Sequence, residues 1–61
     1  MAKFVIKKAV SGDGRNYYWW RFIGNNNEII CNSESYWQKA SAEHSLSLVK
    51  QLAPNAPVEE Q

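Results

Sequence analysis

Residues 17–23 read Tyr-Tyr-Trp-Trp-Arg-Phe-Ile, five aromatic side chains in seven positions of a chain only 61 residues long. Aromatic residues fit a pleated, half-buried surface, so the run reads as a β-strand. In a strand, neighbouring side chains point to opposite faces. That separates the two adjacent tryptophans. Trp20, with Tyr18 and Phe22, is assigned to the core, and Tyr17, Trp19, Arg21 and Ile23 to the opposite face.

There is little core to receive even half of them. The length supports a single domain, residues 1–61. A domain this small buries only about 60% of the surface its unfolded chain exposes. The usual reinforcements are missing from the sequence. One cysteine, Cys31, allows no internal disulfide. No Cys/His cluster suits a structural metal, and no cofactor motif is present. Oligomerisation is the remaining device, so a homodimer is expected.

The rest of the chain supplies the other elements. Lys3 to Lys8 alternates, with Phe4 and Ile6 on one side and Lys3, Val5 and Lys7 on the other, the pattern of a first strand. Ser11-Gly12-Asp13-Gly14 and Gly24-Asn25-Asn26-Asn27 are turn chemistry, because Gly and Asn accept positive φ. Glu28 to Ser33 reads as a third strand, either Ile29 with Cys31 or Ile30 facing the core. Short turns make the three an antiparallel meander. Ala42, Leu46, Val49 and Ala53 then recur at helical spacing, and Leu48 and Leu52 widen the stripe. Ser35-x-x-Gln38 offers a capping box, and a later start near Trp37 or Gln38 is equally compatible. Pro54 ends the helix. A helix over 38–53 would be about 24 Å long, against about 23 Å for seven-residue strands. One helix therefore covers one face of the sheet and leaves the other open. On composition alone the tail, Asn55 to Gln61, reads as disordered.

The ordered set Trp20-Arg21-Phe22, Asn26-Asn27-Glu28-Ile29-Ile30, Ser33-Glu34-Ser35-Tyr36 and Lys39-Ala40-Ser41-Ala42-Glu43, with Leu46, Val49-Lys50 and Ala53-Pro54, resembles the YegP-like domains, small bacterial domains of uncharacterised function. The resemblance spans about Lys3 to Val58. It implies an α+β fold: a β-β-β-α-β unit whose C-terminal strand is exchanged in a homodimer to form one continuous sheet. The tail then gains a role, with Ala56 to Glu60 donated to the partner and Ala56, Val58 and Leu52 at the dimer interface. Asn27 stands where the family usually has Gly, and Trp19 and Trp37 stand where polar residues are common. Pro57 falls in the exchanged strand, where it cannot donate a ladder hydrogen bond. No catalytic residues come with the resemblance.

The residues themselves argue against catalysis. His44, the only histidine, lies about 200° round the helix from Ala42, away from the apolar stripe. Cys31 and His44 could form a thiol and base, but no helix N-terminus or run of cations adjoins Cys31 to lower its pKa. The carboxylates are scattered, and no phosphate loop or nucleophile elbow occurs. Neither a signal peptide nor an apolar run of membrane-spanning length is found, and a lone free thiol fits a reducing cytoplasm.

The open sheet face is the surface to suspect. Lys3, Val5, Lys7, Tyr17, Trp19 and Arg21 share it, with Ile23 beside them, while Trp37 is assigned to packing at the sheet edge or helix start. The expectation is a non-enzymatic module for a protein or peptide partner docked around Trp19. The alternative is single-stranded nucleic acid, which interleaved aromatic and basic side chains on an open sheet can bind. A net charge of +1 means that any such case rests on a local patch.

Overall fold

The computed structural model describes all 61 residues. Three antiparallel strands, β1 (Lys3–Val10), β2 (Asn16–Ile23) and β3 (Ile29–Asn32), form a sheet in the order β1-β2-β3. A helix, α1 (Lys39–Leu52), follows, and a short 3₁₀ turn spans Ala53–Asn55. The α+β architecture and the meander agree with the sequence. Residues 56–61 form no strand in the single chain, and all six are exposed.

The turns behave as their residues dictate. Gly14 takes φ of 85° in the first. In the second, Asn27 takes φ of 64°, the left-handed region that Asn tolerates among non-glycine residues. Asn therefore stands in for Gly there with its backbone in a glycine-like conformation. The register of β1 on β2 pairs Phe4 with Phe22 and Ile6 with Trp20 on one face, and Val5 with Arg21 and Lys7 with Trp19 on the other.

Strand β3 is shorter and less regular than its pattern suggests. Cys31 sits opposite Phe22, but Ile29 sits opposite Ile23, because a bulge inserts Ile30 between them. One inserted residue changes the facing of everything beyond it. Cys31 is thus on the helix side and Ile29 falls opposite Ile23, an arrangement that simple alternation could not give. Beyond Asn32 the chain leaves the ladder and rejoins it at Tyr36, which exchanges two backbone hydrogen bonds of 2.7 Å with Tyr18. In between, Ser33 replaces a ladder partner: Trp20 N–H donates to Ser33 Oγ at 2.9 Å, and Ser33 N–H donates to the Trp20 carbonyl at 2.9 Å.

Helix α1 starts at the later of the two sites. Gln38 is its N-cap residue, with no side-chain cap, so the Ser35 capping box is not formed. The helix packs on β2 through Ala42, which is fully buried, and through Ser45, Leu46 and Val49. Leu48 and Leu52 do not join this stripe; they are 40% and 62% exposed. The core centres on Trp20, 6% exposed, with Phe4 edge-on at 5.5 Å and Phe22 packed on Phe4 at 4.7 Å.

Ser45 was not distinguished by the apolar periodicity, yet it fastens the core. Trp20 Nε1 donates to its Oγ at 3.1 Å, and Tyr36 Oη donates to the same atom at 2.9 Å. One hydroxyl on the helix satisfies two aromatic donors from the sheet. Ser45→Ala is expected to cost about 1–3 kcal/mol, because it leaves both donors without a partner. Urea denaturation at fixed protein concentration measures this, and a loss below half a kcal/mol would remove Ser45 from that role.

Candidate functional site

The face opposite the helix is built from alternate residues of the three strands. Reading along the β1–β2 pairs, it presents Lys3 beside Ile23, Val5 beside Arg21, Lys7 beside Trp19 and Ala9 beside Tyr17. Strand β3 adds Asn32 opposite Arg21 and Ile29 opposite Ile23. Every residue expected on this face is brought together there: Lys3, Val5, Lys7, Tyr17, Trp19 and Arg21. Tyr17, Trp19 and Arg21 are half-buried by one another and their neighbours, while Lys3 and Lys7 are exposed.

Two further residues join the face. Trp37 follows Tyr36, whose side chain is held on the helix side by Ser45, and the strand-like alternation at this bridge sends Trp37 to the other side. There it meets Tyr17 edge-on, ring centroids 6.4 Å apart. The Arg15 guanidinium lies over the Trp37 ring, 3.8 Å from its centroid, at cation–π distance. Trp37 is 53% exposed, so it belongs to the surface and not to the packing at the sheet edge. Arg15 carries the same parity as Tyr17, Trp19 and Arg21, a signal that could have placed it. Trp37 had no such signal, because residues 33–35 leave the ladder before it.

The result is a continuous run of rings and cations. Arg15 covers Trp37, Trp37 meets Tyr17, and Tyr17 stacks on Trp19 with centroids 5.6 Å apart. Lys7 lies across from Trp19 and Arg21 follows it along the strand. Arg21 Nε donates to Asn32 Oδ1 at 2.9 Å, which fixes the guanidinium with a neutral acceptor and leaves its charge uncompensated by that partner. None of the three strands holds an Asp or Glu, and Lys3, Lys7 and Arg21 stand at outward positions, with Arg15 in the turn just before β2, where its backbone N–H donates to Asp13 Oδ1 at 3.4 Å. The strand part of this face is therefore cationic, with Asp13 at its border beside Arg15. Beside Trp37 a shallow pocket of about 310 Å³ is lined by Ser11, Tyr17, Ser35, Tyr36 and Trp37.

The candidate thiol and base are not assembled into a pair. Cys31 lines an apolar groove of about 480 Å³ with Phe4, Phe22, Val49, Ala53 and Pro54. His44 lines a different one, with Tyr36, Ala40, Leu48 and Val49. No three His, Cys, Asp or Glu side chains are grouped to hold a metal ion. No helix is long and apolar enough to cross a membrane.

Comparison with known proteins places the chain. Residues 13–60 match the family described as "Domain of unknown function (DUF1508)". The chain belongs to that family. YegP-like domains are its members, so the resemblance read from the ordered motifs is established. A relative from Mesorhizobium japonicum, "UPF0339 protein Msl4696", is 34% identical over 58 residues, covering 95% of this chain and 91% of the relative. The solution structure of a protein from Haloferax volcanii superposes with a TM-score of 0.71 at 31% identity, covering all of both chains. The fold is thus shared across the full length, and the family carries no assigned activity.

Proposed function

We propose that this domain is a non-catalytic binding module of the DUF1508 family, a homodimer through exchange of residues 56–60, whose open sheet face is its docking surface. The clustering of cations with aromatic rings on this face carries the reading. Four cations and three aromatic rings share a face on which no strand position holds a carboxylate. Aromatic and arginine side chains dominate the energetics of binding surfaces. A protein or peptide partner for this face is therefore an acidic one, and anionic character is common to every occupant that its charge suits. The separate grooves of Cys31 and His44 support the non-catalytic assignment. The exposed free thiol of Cys31 supports a reducing compartment, the cytoplasm.

Titrating the full chain with poly-glutamate and with poly-lysine at low salt, and reading tryptophan fluorescence, tests the docking surface. Poly-glutamate is expected to quench, with Trp19 and Trp37 on the contacted face, and poly-lysine to do nothing. No response to poly-glutamate or to an anionic oligonucleotide would reject the face as a binding surface.

A further inference from the structure

We infer that the occupant of this face is single-stranded nucleic acid, with Trp37, Tyr17 and Trp19 stacking on bases while Arg15, Lys3, Lys7 and Arg21 meet phosphates. The inference rests on the docking surface proposed above and names its ligand.

Two demands made by the face select this class. The first is for regularly spaced anions. Same-side residues along a strand recur about every 6.7 Å. Lys3 and Lys7 on β1, with Arg21 on β2, lie on that grid. Arg21 is oriented by Asn32 through Nε alone, so its terminal N–H groups are left for an external oxyanion. The second demand is for flat partners. Trp37 already holds a planar group on its face, the Arg15 guanidinium at 3.8 Å. A base fits the same position, and Arg15 then swings to the phosphate beside it. An acidic peptide meets the first demand and not the second, because its carboxylates come on flexible methylene stems. A nucleic-acid strand supplies both in alternation.

The geometry also selects single strands over duplexes. The rings form a run across an open sheet with no projecting element to enter a groove. In a duplex the base faces are hidden within the stack, so stacking on Trp19 or Trp37 requires unpaired bases. Stacking on aromatics is tolerant of sequence, so little base preference is expected.

The test is fluorescence anisotropy of the full chain with a labelled 15-nucleotide oligothymidylate. Four phosphate contacts per protomer imply that affinity falls about 50-fold between 50 and 200 mM salt. Trp19→Ala and Trp37→Ala are each expected to weaken binding about 5- to 100-fold, the range seen for loss of a stacking ring. Trp37→Phe, which keeps a ring, should retain most of the affinity. Arg21→Gln should lower the slope of log affinity on log salt by about 0.7. Lys50→Gln, on the helix side, should change neither quantity appreciably. Circular dichroism confirms that each variant is folded, and Trp37→Ala and Trp37→Phe suffice on their own, since Trp37 is half exposed.

Four outcomes overturn the inference. Poly-glutamate of matched charge that competes as well as the oligonucleotide would assign the face to acidic peptides and leave the docking surface intact. A duplex of the same length that binds equally, or binding indifferent to both tryptophan changes, would rule out base stacking. Failure of both anionic ligands would remove the docking surface as well.

Discussion

Replacing Trp20 by alanine is expected to abolish the folded state at 25 °C. Truncating a core tryptophan costs about 3–5 kcal/mol through lost burial and the cavity it leaves. A domain of this size holds about 3–9 kcal/mol in all, at the usual share per residue. Here the loss is concentrated. Trp20 is the one large side chain that is buried, and the other two buried residues, Gly24 and Ala42, contribute little area of their own. Its removal also deprives Phe4 of its edge-on partner and leaves Ser45 with only the Tyr36 donor. Far-UV circular dichroism with urea should show no cooperative transition. Trp20→Phe keeps a ring and loses the indole N–H, so it should remain folded with a smaller deficit. A Trp20→Ala protein within 1 kcal/mol of the parent at the same concentration would mean that the core lies elsewhere.

The contrast between Trp20 and Trp19 was legible in the sequence because strand alternation is a strict rule and the run 17–23 contains no bulge. The meander and the helix were legible for similar reasons: turn residues that accept positive φ, then a change of period. What escaped depends on events that no local pattern records. The bulge at Ile30 changes facing within a four-residue strand, and it is visible only in the pairing with β2. Ser45 looks like a polar interruption of an apolar stripe until two aromatic donors are brought to it across the chain. Leu48 and Leu52 fit the helical period yet stay exposed, because the sheet covers only the strip of helix through Ala42, Ser45, Leu46 and Val49. The open face was anticipated in its centre and missed at its end. Strand parity placed Trp19 and Arg21 and, extended one residue before β2, would also have placed Arg15, whereas Trp37 arrives after residues that leave the ladder.

Those exposed leucines bear on the second large effect. Removing residues 56–61 is expected to convert a dimer into a less stable monomer. In the single chain the tail makes one backbone hydrogen bond, Ala56 N–H to the Ala53 carbonyl, and Val58 is 95% exposed. Leu52, at 62%, lies just before it. Alongside, the groove lined by Phe4, Phe22, Cys31 and Val49 is open and apolar. A chain with so little buried surface has reason to cover such a groove with a second copy, and β1 and β3 are both edge strands able to accept an added one. Pro57 has no N–H, so an added strand must place that residue at its start or with its nitrogen turned away from the ladder. That leaves Val58 as the apolar anchor. Light scattering should give the full chain a mass of twice 7.0 kDa, about 14 kDa, and the truncated chain the mass of one copy. Val58→Asp should act in the same direction without shortening the chain, since an unpaired carboxylate is costly to bury. A full-length protein that runs at 7.0 kDa at micromolar concentration and unfolds no more easily after truncation would exclude strand exchange. The open face would then belong to a monomer, presenting one row of rings and cations per molecule in place of two joined rows.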